Sequence, residues 1–458
     1  MTTDASLDLS PLRAALRGHA LAPGDDGWDA ARQAWNLAAD LRPAAVVYAE
    51  EAAEIAATMR FAGERGLRVA MQGTGHGAPA LGDLSDTLLL KTQRMAAVEI
   101  DPARRVARAQ AGALWGDVAV SAGRHGLAAL HGSSPDVGVV GYTLGGGLSW
   151  LARRHGLASS KVVAFEVVTA DGAQRRVTAD ADADLFWALR GGGGAFALVT
   201  AIEFELLPLA EAFAGTIAWP GERGAELLAA WREWTATLPD ATTSSFRWLQ
   251  LPPLPEVPEP LRGRPTVAIT AVHDGPATEA DALLASLRAL GGATLDRFAV
   301  LPAPALCHIN GDPEQPTPAF GDHALLSALD DAAAAALSAA AGPEAGHPLV
   351  GVELRHLGGA LGRAPRDAGA LAWIDGEQLL FAFGIPMGPD GGVAIRSALD
   401  GVLAAVAPVR SGSVLNFADT PVETASAFDA ETWRRLQQVK AAVDPGDLIR
   451  SNRPVPPA

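Results

Sequence analysis

The spacing of apolar residues in the first hundred positions predicts alternating strands and helices. Residues 43–48 and 67–71 are short apolar runs of the kind found in buried strands. Between them, residues 50–65 carry apolar side chains at the spacing of one helix face. A strand, a helix and a second strand in this order predict a βαβ unit.

From residue 96 onward the pattern changes to short strands separated by glycines. Residues 105–110 alternate between apolar and polar side chains, and residues 115–125 have the pattern of a helix. The run 161–169 resembles a strand and is followed by Asp171-Gly172, a dipeptide typical of tight turns, and then by residues 176–178. This arrangement predicts a β-hairpin.

After Pro208 a new series of helices and strands begins, with links of hairpin length. Such a mixture predicts an antiparallel sheet covered on one face by helices. The predicted helices are 224–238, 279–290 and 393–406, and the predicted strands are 245–251, 266–273, 350–357 and 378–385. A further strand at 413–417 and a helix at 431–443, which ends at Asp444-Pro445-Gly446, follow.

Composition and charge narrow the class of protein. The chain has 458 residues, of which 49% are hydrophobic and 19% charged, so it is globular and long enough for two or three domains. Its formal net charge of −16 repels phosphate backbones and anionic lipids. We therefore expect neither nucleic acid nor a membrane as a partner.

The cysteine content excludes disulfide bonds and metal sites made of thiolates. Cys307 is the single cysteine, so the chain has no intramolecular disulfide and no thiolate metal site. No group of His, Asp and Glu has convincing metal-ligand spacing, and no metal is expected. The first residues lack a basic region followed by an apolar stretch, so a cytoplasmic location is expected.

The most informative segment is Met71-Gln72-Gly73-Thr74-Gly75-His76-Gly77-Ala78, directly after a predicted strand. Alternating glycines let successive backbone N–H groups surround an anionic oxygen, as in phosphate cradles. A histidine there suggests a side chain that reaches the organic part of a cofactor, although an ordinary polar loop has the same composition. A nicotinamide fingerprint is disfavoured because Pro79, Gly82 and Asp83 leave no helix to receive a pyrophosphate.

Further glycine clusters lie at 132–138, 139–147 and 190–194. Glycines weaken an apolar strand unless a flat object or another backbone approaches closely. Each cluster alone is equally typical of a barrel corner or a β-bulge. Together with the cradle around His76, they indicate a large and extended cofactor.

The order of these motifs resembles one known family. Residues 73–206 resemble the flavin domain of the vanillyl-alcohol-oxidase superfamily, and most closely its berberine-bridge-enzyme-like branch. The matching segments are 73–76, 111–117, 125–127, 137–141, 144–147, 154–157, 184–190, 193–200 and, near the C-terminus, 433–445. The resemblance covers most of residues 40–207 and 412–456.

The resemblance implies an α+β fold with an FAD-binding domain of two subdomains. That domain would span residues 1–208, with subdomains at about 40–100 and 101–208. A substrate-binding cap domain with an antiparallel sheet covered by helices would span 209–411. The segment 412–458 would return to the FAD-binding domain.

The resemblance also implies which residues bind FAD. In the family, the histidine that matches His76 bonds covalently to the 8α carbon of the flavin. Some members add a second bond from a cysteine at the position of Ser134, so this chain would form one bond only. Val137 matches a position thought to control oxygen access. The pyrophosphate would contact Gln72, Gly73, Thr74, Gly75 and Gly77; the flavin would contact Gly132, Ser133, Val137, Gly138, Tyr142, Gly145 and Asn416; and Val199 would face the adenine end.

The catalytic residues depart from the family pattern. Relatives often carry Tyr-x-Asn where this chain has Val414-Leu415-Asn416, so Asn416 is retained and the phenol is absent. Glu353 and Arg355 share one face of a predicted strand and are candidates for substrate contact, while His356 points the other way. An ion pair between Glu353 and Arg355, or a solvated strand face, explains the same pattern.

The polar segment 305–323 adds His308, Asp312 and Asp322 as weaker candidates for contact with substrate. Their spacing alone favours none of them over an ordinary surface loop.

These features predict an FAD-dependent oxidoreductase with a single covalent histidyl-FAD. It would oxidise a small organic substrate (an alcohol, sugar, phenol or secondary metabolite) by hydride transfer to flavin N5. Molecular oxygen would reoxidise the flavin and give hydrogen peroxide. Two alternatives stay open: a dehydrogenase that uses another electron acceptor, and a flavin-binding protein without turnover.

Overall fold

The computed structural model describes residues 7–255 and 257–458. The helices are α1 (Ser10–Ala14), α2 (Trp28–Ala31), α3 (Ala52–Arg65), α4 (Trp115–Gly123), α5 (Val139–Leu144), α6 (Ala152–His155), α7 (Ala183–Leu189), α8 (Gly224–Thr235), α9 (Ala277–Ala289), α10 (Asp331–Ala341), α11 (Gly391–Val406) and α12 (Ala430–Val443). The strands are β1 (His19–Leu21), β2 (Ala45–Tyr48), β3 (Arg68–Gln72), β4 (Thr87–Lys91), β5 (Val98–Asp101), β6 (Val106–Gln110), β7 (Val162–Val168), β8 (Gln174–Val177), β9 (Leu198–Glu205), β10 (Glu211–Pro220), β11 (Thr242–Gln250), β12 (Pro265–His273), β13 (Leu295–Asp296), β14 (Ala299–Pro302), β15 (Phe320–Leu326), β16 (Gly351–His356), β17 (Gln378–Gly384), β18 (Arg410–Gly412) and β19 (Ile449–Arg450).

The first sheet has the strand order β1-β2-β4-β3-β19. Strands β2, β4, β3 and β19 pair in parallel, and β1 pairs antiparallel to β2. Helix α3 connects β2 to β3 and buries Ile55, Met59 and Phe61, so the predicted βαβ unit is confirmed. Strand β19 adds the end of the chain to this sheet and thereby places C-terminal residues beside the glycine cradle that follows β3.

The second sheet is antiparallel in the order β5-β6-β9-β7-β8. Strands β7 and β8 form the hairpin predicted at Asp171-Gly172, where Gly172 has a φ of +75°. The core under this sheet contains Trp115, Phe165 and Phe196, all almost fully buried. The glycine clusters at 132–147 and 190–194 lie at its edge, between this core and the first sheet.

The third sheet is antiparallel and has the order β13-β10-β12-β11-β16-β17-β15-β18, with β14 also paired to β10. Helices α8 to α11 cover one face and bury, among others, Trp231, Leu337 and Ile395 against it. The predicted antiparallel sheet covered on one face is confirmed. Five of its strands, β10, β13, β14, β15 and β18, escaped prediction. All its strands lie between Glu211 and Gly412, while the domain limits at 208 and 411 stay predictions.

Residues 413–417 do not form the predicted strand. The chain leaves β18 at Gly412 and makes a 3₁₀ turn at Leu415–Phe417. The turn is held because the carbonyl of Leu415 accepts hydrogen bonds from the Arg453 guanidinium at 3.0 and 3.2 Å. The apolar alternation in this segment reflects burial on two sides of a turn rather than a sheet.

Helix α11 with the turn after it, Gly391–Val409, is long and apolar enough to span a membrane by length and composition. Its residues Ile395, Leu399, Val402 and Val406 form one buried stripe that packs against the third sheet. The helix thus has the packing of an amphipathic helix on a sheet.

Candidate functional site

A cavity of about 450 Å³ lies where the three sheets meet. One side is formed by the glycine segments after β3 and before α5, and the opposite side by the uncovered face of the third sheet. The structure places nearly every predicted site residue on its wall. These are His76, Gln72, Gly73, Thr74, Gly75, Gly77, Gly132, Ser133, Val137, Gly138, Tyr142, Gly145, Glu353, Arg355 and Asn416.

Val199 is the exception. It is fully buried in the core of the second sheet, and Ala197 and Leu198 line the cavity in its place. Successive side chains of a strand point to opposite faces, so Val199 on β9 faces away from Leu198. The structure therefore places the Val199 side chain away from the cavity, and its assignment to the adenine end stays a prediction.

The glycine cradle has a shape that only glycine allows at its centre. Gly75 has a φ of +95°, and a Cβ there would lie 2.6 Å from Gln72 Nε2 and 2.7 Å from the Cβ of Ala34. The cradle is fixed from outside, because Trp35 N donates to the Thr74 carbonyl at 2.9 Å and Asn452 Nδ2 donates to the Gly77 carbonyl at 3.2 Å. This rigid backbone turn suits a phosphate group held by amides.

His76 lies between an indole and a carboxylate. Its ring stacks on Trp35 with 4.0 Å between centroids, and its Nε2 lies 3.6 Å from Asp136 Oδ2. Burial lowers the pKa of His76 to about 4, so the imidazole is neutral. Burial raises the pKa of Asp136. His76 Nε2 and both Asp136 oxygens have no hydrogen-bond partner among the described residues, which indicates that a bound group completes this site.

Tyr142 closes the wall opposite the cradle. Its ring meets Trp115 edge-on at 5.4 Å, and burial raises the pKa of its phenol far above the usual range. The phenol oxygen is buried and bonds to no other described residue. A Cβ on Gly132 would lie 3.2 Å from the Tyr142 ring and one on Gly145 would lie 3.0 Å from Asn416. The absence of side chains here leaves a smooth surface for a flat ring.

Asn416 holds that surface rather than facing a substrate. Its Nδ2 donates to the Tyr142 carbonyl at 2.9 Å, and its Oδ1 accepts from Gly147 N at 3.0 Å. Both ends of the carboxamide are therefore committed to the backbone on either side of the glycine turn. The structure gives Asn416 a positioning role where the sequence suggested a catalytic one. Val414 is buried among Leu148 and Leu379, away from the cavity.

The uncovered face of the third sheet carries charge and aromatic rings. Glu353 and Arg355 form an ion pair, with 3.1 Å from Arg355 Nε to Oε1 and 3.2 Å from Nη2 to Oε2. The predicted ion pair is confirmed, and it lies on the cavity wall. The neighbouring Arg247 is buried, and its Nη2 donates to Thr270 Oγ1 at 3.2 Å. His356 points to the other face of the sheet, towards Trp231, as expected.

Phe381, Phe383 and Phe417 complete the cap side of the cavity. The rings of Phe381 and Phe417 meet edge-on at 5.5 Å, and the Arg355 guanidinium lies 4.8 Å from the centre of the Phe417 ring. An organic molecule in this cavity would contact aromatic carbon on one side and an arginine–carboxylate pair on the other.

Of the three weaker candidates for substrate contact, one lines the cavity and two do not. Asp312 lines the cavity, and its Oδ2 accepts hydrogen bonds from Ser134 Oγ at 2.8 Å and Ser133 Oγ at 3.3 Å. His308 is exposed and pairs with Glu314 at 3.1 Å. Asp322 packs beside His323 and does not line the cavity.

Sequence reasoning missed several wall residues. Trp35, Arg247, Arg450 and Arg453 line the cavity, and Asp136 lies behind the wall at 3.6 Å from His76 Nε2. Asp136 had one detectable signal, since it is a charged residue between two glycine-rich apolar segments. The two C-terminal arginines provide cations near the cradle, where Gln72 carries none.

Comparison with known proteins agrees with this geometry. The family described as "FAD binding domain" matches residues 43–178. The chain is 33% identical over 205 residues to (R)-6-hydroxynicotine oxidase of Paenarthrobacter nicotinovorans, covering 44% of the chain and 45% of that enzyme. It is 36% identical over 215 residues to glucooligosaccharide oxidase of Sarocladium strictum, covering 46% of the chain and 43% of that enzyme. The chain thus matches less than half of the length of these curated relatives.

Solved structures match over almost the whole chain. 6-Hydroxy-D-nicotine oxidase of Arthrobacter nicotinovorans has a TM-score of 0.85 at 25% identity, covering 98% of this chain and 99% of that chain. Glucooligosaccharide oxidase of Acremonium strictum, described with a 6-S-cysteinyl, 8α-N1-histidyl FAD, has a TM-score of 0.83 at 24% identity over the same shares. The berberine-bridge-enzyme-like 1 protein of Physcomitrella patens shares the fold with a TM-score of 0.83 at 18% identity, again over 98% and 99%.

The uncharged glycine cradle, the smooth ring-binding wall and these matches define a flavoprotein fold. Residues 43–178 form an FAD-binding domain, and the cofactor of the chain is FAD. Over almost its whole length the chain has the fold of 6-hydroxy-D-nicotine oxidase.

Proposed function

We propose that the protein is an oxidase whose FAD is attached by one covalent bond from the His76 ring to the 8α carbon of the flavin. The observation that supports it most is the pair of His76 and Asp136, in which His76 Nε2 and both Asp136 oxygens are buried without hydrogen-bond partners in the described chain. Because residue 134 is a serine, the second bond described for glucooligosaccharide oxidase has no sulfur to form it.

The chemistry of His76 suits a nucleophile. A pKa of about 4 leaves a lone pair on one ring nitrogen at neutral pH. With Nε2 turned to Asp136, Nδ1 is the nitrogen left to form the bond, and Asp136 would accept the proton that Nε2 loses. The new bond would replace one C–H bond of the 8α methyl, whose proton would leave to solvent and whose electron pair would pass through the flavin to molecular oxygen. Trp35 holds the ring plane by stacking. Mass spectrometry of the proteolytic peptide that contains His76 tests the bond, because the peptide should carry the added mass of one FAD.

The remaining wall residues would hold and orient the cofactor. Amides of residues 73–77 would bind the pyrophosphate, and Arg450, which β19 brings to the cavity wall, would add a cation. Tyr142 and the glycines held by Asn416 would support the ring. When bound, FAD would supply the redox chemistry, namely acceptance of a hydride from a substrate carbon and transfer of the two electrons to molecular oxygen to give hydrogen peroxide.

The substrate would be a small organic molecule bound between the flavin and the cap sheet. Phe381, Phe417 and the Glu353–Arg355 pair offer contacts to a molecule with an apolar ring and at least one polar group. Anaerobic mixing with (R)-6-hydroxynicotine, cellobiose and vanillyl alcohol, followed by flavin absorbance, tests this function. Bleaching by any of them supports an oxidoreductase, and no bleaching by all three favours a flavin-binding protein without turnover.

Reoxidation decides which electron acceptor the enzyme uses. Val137, a small side chain on the cavity wall, supports access of oxygen to the ring. Stopped-flow mixing of reduced protein with air-saturated buffer should restore the oxidised spectrum within seconds. Reoxidation over minutes would indicate a dehydrogenase with another acceptor.

A further inference from the structure

One carboxylate on the cavity wall lacks an assigned role. Asp312 lies between a 3₁₀ turn (Ala303–His308) and β15, on a segment fastened to the N-terminal part of the chain. The fastening is specific, since Asn36 Nδ2 donates to the Ala319 carbonyl at 3.0 Å and Asn36 Oδ1 accepts from Ala319 N at 3.1 Å. The backbone that carries Asp312 is therefore held in place over the cavity.

One oxygen of the Asp312 carboxylate accepts hydrogen bonds, and the other accepts none from the described residues. Oδ2 accepts hydrogen bonds from Ser134 Oγ at 2.8 Å and Ser133 Oγ at 3.3 Å. Oδ1 accepts no hydrogen bond from any described residue, and the side chain lines the cavity. A carboxylate in this state can receive a proton without breaking a contact.

The other carboxylates near the cavity have different surroundings. Glu353 is paired with Arg355, which donates a hydrogen bond to its Oε2 at 3.2 Å. Asp136 lies beside His76. Asp419 lines the cavity on the C-terminal side, and burial raises its pKa to about 7 against the opposing charge of Arg453. Among the carboxylates on the described cavity wall, Asp312 is the one that accepts hydrogen bonds from Ser133 and Ser134 and keeps its second oxygen free.

The charged groups that face Asp312 come from the cap sheet. Arg247 on β11 and Arg355 on β16 are cations that favour its ionised form, and Glu353 on β16 opposes it. Ser133 and Ser134 from the flavin wall donate to it. Burial raises the pKa of Asp312, with Arg247 as the main opposing influence. A carboxylate with a raised pKa is a stronger base.

Ser134 indicates which edge of the flavin Asp312 would border. It occupies the position of the cysteine that some relatives bond to flavin, and glucooligosaccharide oxidase is described with a 6-S-cysteinyl FAD. On the isoalloxazine ring, carbon 6 is bonded directly to the carbon that bears N5. A side chain that contacts residue 134 would therefore border the edge where hydride transfer occurs.

We propose that Asp312 is the proton acceptor of the oxidation, in place of the family phenol that is absent at Val414. The role rests on the proposed oxidase function. The substrate O–H or N–H bond breaks and its proton passes to Asp312 Oδ1, while the adjacent C–H bond breaks and its hydride leaves to bound FAD. The substrate gains a C=O or C=N bond. Molecular oxygen then accepts the two electrons of the hydride, together with two protons, and becomes hydrogen peroxide.

The first test needs no substrate. The reduction potential of the bound FAD is measured against pH with a reference dye for wild type, Asp312→Asn and Glu314→Gln. A carboxylate beside the ring opposes added electrons, so Asp312→Asn should favour two-electron reduction at pH 8 by about tenfold or more, which corresponds to ~30 mV. The wild-type curve should bend where Asp312 titrates, and the Asp312→Asn curve should not.

Glu314→Gln is the matched control because Glu314 is two residues away, exposed and paired with His308. It should behave as wild type. Asp312→Ala serves as a second variant if Asp312→Asn folds poorly, and covalent flavin content verifies the fold of each. Equal potentials and equal pH dependence in Asp312→Asn and wild type would overturn the assignment.

The second test uses whichever of (R)-6-hydroxynicotine, cellobiose and vanillyl alcohol bleaches the wild-type flavin. Asp312→Asn should slow anaerobic bleaching about 10²–10⁴-fold, and reoxidation by oxygen should keep its wild-type rate. A wild-type bleaching rate in Asp312→Asn would reject the role of Asp312 as proton acceptor and leave the proposed oxidase function standing. Failure of all three compounds to bleach wild type would instead reject the oxidase function and, with it, this role.

Discussion

The surroundings of His76 show how single side chains determine cofactor attachment. Desolvation keeps its imidazole neutral, Trp35 fixes the ring plane, and Asp136 lies 3.6 Å from Nε2. A neutral ring with one nitrogen directed to a carboxylate is prepared to lose a proton when the other nitrogen forms a bond. Asp136 therefore affects the rate of attachment more than the strength of FAD binding.

Asp136→Asn should slow covalent attachment about 10²-fold or more, because an amide cannot accept the Nε2 proton. The measurement is the fraction of flavin that stays with acid-precipitated protein at successive times after FAD is added to apoprotein. Asp117→Asn is the control, since Asp117 is an exposed residue of α4. Equal rates for Asp136→Asn and wild type would show that Asp136 takes no part in the attachment.

Sequence reasoning at this scale found residues but not always their roles. His76, Glu353 and Arg355 were predicted as site residues and line the cavity. Asn416 was assigned to catalysis and to flavin binding; it lines the cavity, and its carboxamide bonds to the backbone at Tyr142 and Gly147. A side chain's hydrogen-bond partners lie up to hundreds of residues away in sequence, so its role depends on contacts that local patterns do not contain.

The cradle between β3 and the 3₁₀ turn at Ala78–Leu81 shows what an element requires of its glycines. Gly75 has a φ of +95°, and an added Cβ would lie 2.6 Å from Gln72 Nε2 and 2.7 Å from the Cβ of Ala34, which cannot rotate away. Gly77 has a φ of −90°, and an added Cβ would meet only the end of the Asn452 side chain, at 2.7 Å. The two positions are therefore unequal in their need for glycine.

Gly75→Ala should weaken FAD binding about tenfold or more, since left-handed backbone costs an L-residue roughly 1–2 kcal/mol before any clash. Gly77→Ala should weaken it much less because Asn452 can move. Both substitutions are made in a His76→Ala background so that binding is reversible, and FAD affinity is measured by fluorescence quenching. Equal affinities of the two variants would contradict the described cradle.

Helix α12 attaches the C-terminal segment through a buried ion pair. Lys440 is fully buried, with its Nζ 2.5 Å from Asp444 Oδ2 and 2.9 Å from the Ala195 carbonyl. Lys440→Met would leave Asp444 charged and buried without its partner, and should lower the free energy of unfolding by about 3–5 kcal/mol. Urea unfolding followed by circular dichroism measures this effect.

Lys161→Met is the matched control for Lys440. Lys161 is partly exposed, and its Nζ lies 3.9 Å from Glu205, a distance typical of a weak surface pair. Its loss should change the free energy of unfolding by no more than about 1 kcal/mol. A similar cost for both substitutions would mean that the Lys440 pair does not anchor the C-terminal segment.

Helices and strands with a clear hydrophobic periodicity were predicted well. Segments whose conformation depends on contacts with residues far away in sequence were not. Helix α3 and strands β11, β12, β16 and β17 follow local patterns and lie within a few residues of their predicted limits. The segment 413–417 has strand-like alternation but turns, because Arg453 binds the Leu415 carbonyl and Asn416 binds the flavin wall. Strand β10 is rich in Ala and Gly, so its alternation is too weak to detect.

At the scale of the whole molecule, the third sheet must keep its position relative to the glycine-rich side of the cavity. Asp274, at the end of β12, connects the cap to α6: His155 Nε2 lies 2.7 Å from Oδ2 and Arg154 Nη1 lies 3.1 Å from Oδ1. The Asp274 side chain is 3% exposed. A carboxylate so enclosed between two elements holds them more firmly than an open surface pair.

Asp274→Asn should lower the free energy of unfolding by about 1–3 kcal/mol, between the values for exposed and buried pairs. Asp281→Asn is the control, because Asp281 is 72% exposed and pairs with Arg288 at 2.7 Å on the cap surface. Thermal unfolding monitored by calorimetry gives both values. A cost for Asp274→Asn no larger than that for Asp281→Asn would rule out a docking role.

Whole-molecule contacts were the least accessible to sequence reasoning. The pairing of β19 with β3 and the bonds from Asn36 to Ala319 join segments hundreds of residues apart. The resemblance to a known family supplied the return of the C-terminal segment, since no local pattern contains it. The exact set of cavity residues, including Arg247 and Asp312, depends on these long-range contacts.

The central claim is that His76 alone attaches FAD, and acid precipitation tests it most directly. Wild type and Ser134→Ala should both give a yellow pellet, because Ser134 forms no bond to the flavin. His76→Ala should bind FAD in the native state and release it to the acid supernatant, leaving a colourless pellet. A colourless wild-type pellet, or a yellow His76→Ala pellet, would contradict the account.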